Sequence, residues 1–174
     1  MIVPITEGEA WQIWKWARER QSRKKPHTSK KIVTYRDDLS IHYDGIKGEY
    51  AVHKLFCLPY HPRPRESGDK NAPDLWLPTG ESVQVKYRSK RGWQFLLTST
   101  DPDEFTADIG ILCWPAETGP EDVEVVGWIS RDDFLRHAVT VNHINKPGGE
   151  RLAVDPDHFH PMQELLIRVY RDAA

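Results

Sequence analysis

Cysteine is scarce in this chain. Cys57 and Cys113 are its only two, far apart and outside any paired-cysteine motif. Both read as reduced core thiols of an intracellular protein, not as a disulfide framework. Long apolar runs are missing as well. Nothing approaches the ~18–20 residues of a membrane-spanning helix, so no membrane role is expected. The opening MIVPITEGEAW lacks the basic start and apolar stretch of a secretory signal. No glycine-rich phosphate loop precedes a helix, since GPE and PGGE read as turns. No G-x-S-x-G elbow is present, which leaves serine–histidine hydrolase chemistry without an anchor. There is no internal repeat, low-complexity tract or clear domain boundary.

A net positive charge is also lacking: the formal balance is −2. The distribution carries more information than the sum. Arg20, Arg23, Lys24, Lys25, Lys30 and Lys31 lie between Arg18 and Arg36, with Glu19 the one acid among them. Lys86, Arg88, Lys90 and Arg91 form a second basic group, while acids gather later in DPDEF and GPEDVE. Such asymmetry steers a polyanion to one face of an acidic protein, although a basic loop is more often simply a solvated one. With 174 residues and 39% apolar content, one domain with a real core is expected.

Thr6-Glu-Gly-Glu9 reads as a capping box, opening a helix with Trp11, Trp14 and Ala17 on its inner side. Trp11, Trp14 and Trp16 are expected mainly in the core, with base stacking the alternative. That helix should stop before Pro26, and residues 26–42 look irregular. A second helix is expected from about Asp44 to Cys57, ended by Pro59. Strands are expected near 74–77, 81–88, 93–98, 108–114 and 123–129. Ser130 looks like the cap of a short helix, residues 139–161 look loop-like, and QELLIRVYR is a final helix or strand.

The most informative run is DKNAPDLWLPTGESVQVK, residues 69–86. Pro78-Thr79-Gly80 fits a three-residue hairpin loop, with proline at the first position and glycine at the left-handed third. Leu77 then pairs with Glu81, and Asp74 falls opposite Gln84. Alternation puts Trp76 and Lys86 on that same face, with Leu75, Leu77, Val83, Val85 and Tyr87 turned to the core. Glu81 points to the opposite face from Gln84. One residue more in the loop would separate Asp74 from Gln84.

The preceding helix brings Glu49 into a stripe of Ile46, Tyr50, His53 and Cys57, with Lys47 and Lys54 off it. A carboxylate facing a core needs a partner or a metal. Gly48 beside it costs roughly 1 kcal/mol of helix propensity, which points to close backbone approach. Each residue alone has a plainer account: Glu49 at a solvent edge, Asp74 as a turn residue, Lys86 as a strand-edge lysine.

Taken together, GIKGEYAVHKLF with Glu49, Pro73-Asp74, and Gln84-Val85-Lys86 resemble the PD-(D/E)XK nuclease superfamily, in the variant with glutamine at the acid position. The helix phrase is similar to small nucleases of phages and mobile elements. The resemblance covers about residues 44–115. It implies a single restriction-endonuclease-like α/β domain over 1–174, a mixed central sheet flanked by helices. Residues 1–43 would be an N-terminal helix and basic segment, 44–115 the catalytic core and 116–174 a C-terminal extension. It further implies metal-dependent, endonucleolytic hydrolysis of DNA phosphodiesters in a bacterial or phage-infected cytoplasm. Glu49, Asp74, Gln84 and Lys86 would be catalytic. Glu49, Asp74, Gln84 and the Val85 carbonyl would hold Mg²⁺ or Mn²⁺ through oxygen.

Phosphate contacts are expected from Arg23, Lys24, Lys25, Lys30, Lys31, Arg88, Lys90 and Arg91, on double-stranded or branched DNA. Glutamine brings an oxygen without charge, so a protein that keeps the fold but only binds nucleic acid or assembles with it is the alternative. A Holliday-junction or branch resolvase, which would favour a homodimer, is a nearer variant. His158 and His160 with Asp155 and Asp157 imitate a zinc site, but their proline-rich loop reads as surface.

Overall fold

A computed structural model of the chain describes residues 1–23, 38–62, 72–97, 100–142 and 149–172. The described elements are, in order, β1 (Ile2–Val3), α1 (Glu7–Ser22), α2 (Asp38–Leu55), β2 (Leu75–Trp76), β3 (Ser82–Tyr87) and β4 (Phe95–Leu96). Then come β5 (Ile109–Pro115), β6 (Val123–Ser130), α3 (Arg131–His137), β7 (Val139–Asn142), β8 (Glu150–Val154) and α4 (Met162–Asp172). The class is α/β. A mixed sheet of order β1-β6-β5-β3-β2 is accompanied by a three-stranded sheet of order β4-β8-β7. In the first sheet β3 and β5 run parallel and the other neighbours antiparallel.

Side-chain alternation along β3 and β5 divides the interior into two apolar layers. On one face Val83, Val85, Ile109, Ile111 and Cys113 pack against Ile13 and Ala17 of α1, Ile46 and Val52 of α2, and Leu165 and Val169 of α4. On the other face Leu112 and Ile129 meet Phe95, Phe105, Phe134 and Val154, contributed by the second sheet, α3 and a connecting loop. Phe95 reaches the sheet because Gly110 has no side chain. A Cβ there would lie 3.0 Å from the Phe95 ring.

α1 begins as its sequence requires. Glu9 Oε2 accepts from the Thr6 backbone N–H at 2.8 Å, and Thr6 Oγ1 accepts from the Glu9 N–H at 3.3 Å. The same Glu9 carboxylate ties α1 to α2, accepting from Lys54 Nζ at 2.7 Å and from the Tyr50 hydroxyl at 2.7 Å. Burial alone would raise the Glu9 pKa. The hydrogen bonds from Lys54, Thr6 and Tyr50 outweigh it and bring the value from 4.5 down to about 2. A folded value below the unfolded one means stability that is present above pH 4.5 and lost as pH falls towards about 2. Urea midpoints measured across that window should fall steeply for the native chain. They should be distinctly flatter for Glu9→Gln.

Several expectations need correction. α2 starts at Asp38, so residues 38–42 are helical. The stretch 139–161 contains β7, β8 and a short 3-10 turn at Pro156–His158. Trp11 and Trp14 are exposed; Ile13 and Ala17 make the inner side of α1. Lys15 and Arg18 lie over the two indoles instead. Lys47 is buried, paired with Glu121 at 3.4 Å beside the rings of Tyr43 and Tyr87. Cys113 is buried as expected, but Cys57 is exposed. It sits past the end of α2 with φ 51°, a left-handed position that terminates the helix. QELLIRVYR falls within helix α4. Among the described residues no helix is long and apolar enough to cross a membrane.

Candidate active site

The hairpin has the register its turn chemistry dictates. Leu75 pairs with Val83 and Trp76 with Ser82. The Leu77 N–H donates to the Glu81 carbonyl at 2.9 Å, and Gly80 takes φ 88°. The regular ladder ends at Leu75: the Asp74 N–H donates to the Val83 carbonyl at 2.8 Å, so Asp74 does not pair with Gln84 as the turn alone predicted. Trp76 is exposed, while Leu75, Leu77, Val83 and Val85 are buried. Glu81 is on the helical side, paired with Arg168 of α4 at 2.9 Å.

Asp74 Oδ2 accepts from the Val85 N–H at 2.7 Å, which pins the carboxylate against the edge of β3. Strand geometry turns the Val85 N–H and carbonyl to one edge, so that carbonyl faces the side on which Asp74 lies. Gln84 stands beside Gly110 in the β3–β5 ladder and Lys86 beside Leu112, both on the face away from α2. Lys86 is half-buried there. The Gln84 Oε1 atom is inaccessible and accepts no hydrogen bond. An unsatisfied amide oxygen of this kind costs about 1–3 kcal/mol unless something binds it.

Glu49 approaches from the opposite layer. α2 crosses β3 closely enough that a Cβ on Gly48 would fall 2.9 Å from Tyr87 Cβ, as the glycine implied. Gly48→Ala should therefore destabilise. Overpacking of roughly 1–3 kcal/mol exceeds the gain of about 1 kcal/mol in helix propensity, and the urea midpoint should drop.

The Glu49 carboxylate is buried and held by a fork. Arg20 Nη1 donates to Oε1 at 3.3 Å, Nη2 to Oε2 at 3.1 Å, and the Tyr60 hydroxyl to Oε2 at 3.0 Å. Burial opposes the Arg20 charge. The Glu49 carboxylate outweighs that, with Tyr60 and Asp74 adding to it, so the guanidinium pKa is raised. Burial, then the charges of Glu49 and Asp74, raise the Tyr60 phenol well above its usual range. Burial likewise lowers the His53 pKa, against hydrogen bonds to the Asp74 and Pro59 backbones and the Glu49 charge. Glu49 and Asp74 thus act on the same three side chains, from α2 and from the head of β2.

Arg20, Tyr60 and His53 shape this cluster, and sequence reasoning assigned none of them to it. The signal for Arg20 was present. Ile13, Ala17 and Arg20 follow i, i+4, i+7, so the buried stripe of α1 ends in a guanidinium.

The basic residues separate into groups. Arg88 continues the β3–β5 ladder, its N–H donating to the Cys113 carbonyl at 2.9 Å. It therefore shares a face with Gln84 and Lys86. Arg88 and Lys90 lie over the Trp93 ring, at 5.1 and 5.3 Å from its centroid. Arg91 is ion-paired with Glu117 and Glu124, and Arg23 is exposed at the end of α1. Lys24, Lys25, Lys30 and Lys31 lie outside the described residues. His158 stacks on His137, whereas His160 lies against Trp128 and approaches Asp133.

No group of three or more His, Cys, Asp or Glu residues suited to a metal occurs among the described residues. At β3 the Asp74 carboxylate and the Val85 carbonyl share one strand edge, whereas Glu49 on α2 and the Gln84 side chain stand on opposite faces of the sheet, so the four expected ligands are not gathered as the sequence implied. Carboxylate, carbonyl and amide oxygens are the donor types that suit a hard cation such as Mg²⁺ or Mn²⁺, and the Gln84 oxygen is buried without a hydrogen-bond partner. Three of the roughly four lone-pair sites of Glu49 are used by Arg20 and Tyr60. Comparison with protein-family models, curated proteins and solved structures finds no match to this chain.

Proposed function

We propose that this protein is a metal-dependent nuclease that hydrolyses phosphodiester bonds of DNA, acting as an endonuclease on a restriction-endonuclease-like domain. The observation that carries the proposal is the buried Oε1 of Gln84, without a hydrogen-bond partner, next in the strand to Val85, whose N–H holds the Asp74 carboxylate. Lys86 follows on the same face of the strand.

Asp74, Gln84 and the Val85 carbonyl would hold Mg²⁺ or Mn²⁺, with Glu49 adding negative charge from α2. When bound, such a cation lowers the pKa of a water and offsets charge on a phosphate. The chain's own residues do the remainder. The Val85 N–H orients the Asp74 carboxylate. Lys86 brings a cation to the same face, suited to stabilising charge that develops on the attacked phosphate. Arg20 and Tyr60 fix the rotamer of Glu49 and moderate its charge.

A second proposal, a protein that binds nucleic acid without cutting it, has one observation in its favour: Glu49 already has a counter-ion in Arg20. Supercoiled plasmid incubated with the purified protein and Mn²⁺ separates the two. Nicked or linear product that EDTA abolishes supports the nuclease. A gel shift without product supports the binding module.

A further inference from the structure

A groove of about 860 Å³ opens between the first turns of α1, the first turns of α2 and the connection from β5 to β6. That size is within the range of ligand-binding clefts, about 300–1,000 Å³. Trp11, Trp14 and Leu39 form apolar walls. Trp11 is 57% exposed and Trp14 39%, because the buried side of α1 belongs to Ile13 and Ala17. Two exposed indoles sharing one concavity are the composition of an interface anchor site, not of an ordinary solvated helix face.

The charge lining the groove has one sign. Glu7, Glu121 and Asp122 line it, and no lysine, arginine or histidine does. Among the described residues the Glu7 carboxylate forms no ion pair. Glu121 is held in place from the protein side. Its Oε2 accepts from the Tyr43 hydroxyl at 2.5 Å and from the buried Lys47 Nζ at 3.4 Å, which leaves Oε1 open to a ligand. Asp122 fixes the connection that carries Glu121, accepting from the Ile5 N–H at 3.2 Å and the Thr118 hydroxyl at 2.7 Å. Both indoles already attract cations, with Lys15 Nζ 3.4 Å from the Trp11 ring centroid and the Arg18 guanidinium 4.7 Å from that of Trp14. Three carboxylates repel a phosphate backbone, so base stacking, the alternative for these tryptophans, does not suit the groove.

We propose that this groove docks a basic peptide segment of a partner protein. An arginine or lysine of the segment reaches Glu121 and Glu7, and its aliphatic side chains lie against Trp11, Trp14 and Leu39. Asp74, Gln84 and Lys86 have no part in it, so its outcome is separate from that of the nuclease proposal.

The test uses the full chain and a fluorescein-labelled peptide of alternating arginine and leucine, followed by anisotropy. A peptide of alternating glutamate and leucine is the control. The basic peptide should bind, weaken as ionic strength rises, and exceed the acidic one at least about tenfold. Trp11→Ala and Trp14→Ala should each weaken it about tenfold. Glu7→Gln, at an exposed and unpaired position, should weaken it about threefold and leave the urea midpoint unchanged. If Trp14→Ala loses stability, Trp11→Ala and Glu7→Gln carry the test. Absence of binding, equal binding of both peptides, or native affinity in Trp11→Ala and Glu7→Gln would overturn the proposal. Displacement of the peptide by oligo-dT would give the groove to nucleic acid instead. Self-association by sedimentation that Trp11→Ala abolishes would give it to a second copy of the chain. Either result also overturns the proposal.

Discussion

Asp74→Asn and Lys86→Ala are each expected to reduce Mn²⁺-dependent plasmid cleavage by at least about 100-fold. The two fail for different reasons. Asparagine keeps an oxygen that can accept from the Val85 N–H, so the hairpin edge should hold its shape while the negative charge is lost. Alanine at 86 removes an ammonium from a half-buried position and leaves the oxygen donors intact. Mn²⁺ affinity measured by calorimetry should therefore drop in Asp74→Asn and persist in Lys86→Ala. Cleavage that survives both substitutions would refute the site and point to a contaminating activity.

Arg20→Ala is expected to destabilise the fold by about 3–5 kcal/mol, because it leaves the Glu49 carboxylate buried and without its fork. The double substitution Arg20→Met with Glu49→Met should regain most of that loss, since neither charge then remains. Urea denaturation of the two proteins measures the difference. Metal linkage supplies a second readout. If Glu49 contributes charge to the cation site, Mn²⁺ should raise the Tm of Arg20→Ala more than that of the native protein. Equal shifts would place Glu49 outside the cation's reach and confine its role to joining α1 to α2.

The parts of this fold legible in the sequence are those set by local chemistry. Pro78-Thr79-Gly80 determined the register that pairs Trp76 with Ser82 and Leu75 with Val83, as a three-residue loop with left-handed glycine requires. Thr6 and Glu9 announced their helix, and Gly48 announced a close helix–strand crossing. What could not be read depended on distant partners. β7 and β8, VTVN and ERLAV, carry weak alternation and pair with each other and with β4. Nothing in 139–161 itself reports the aromatic layer they cover. Trp11 and Trp14 looked like core by size, but Ile13 and Ala17 took the inner side. Arg20 counted as one charge in a basic run, although its partner Glu49 lies 29 positions later.

The strand order also governs when this protein can take shape during synthesis. β2 and β3 form a local hairpin, yet the other edge of β3 is closed by β5, and β1 waits for β6, where Ile2 meets Glu124. Parallel, long-range pairing of this kind is slow to form and late to reward. A nascent chain that has emerged only as far as residue 100 holds Glu49, Asp74, Gln84 and Lys86 but has no completed sheet to arrange them. Competence of the cluster is therefore deferred until β5 and β6 have left the ribosome.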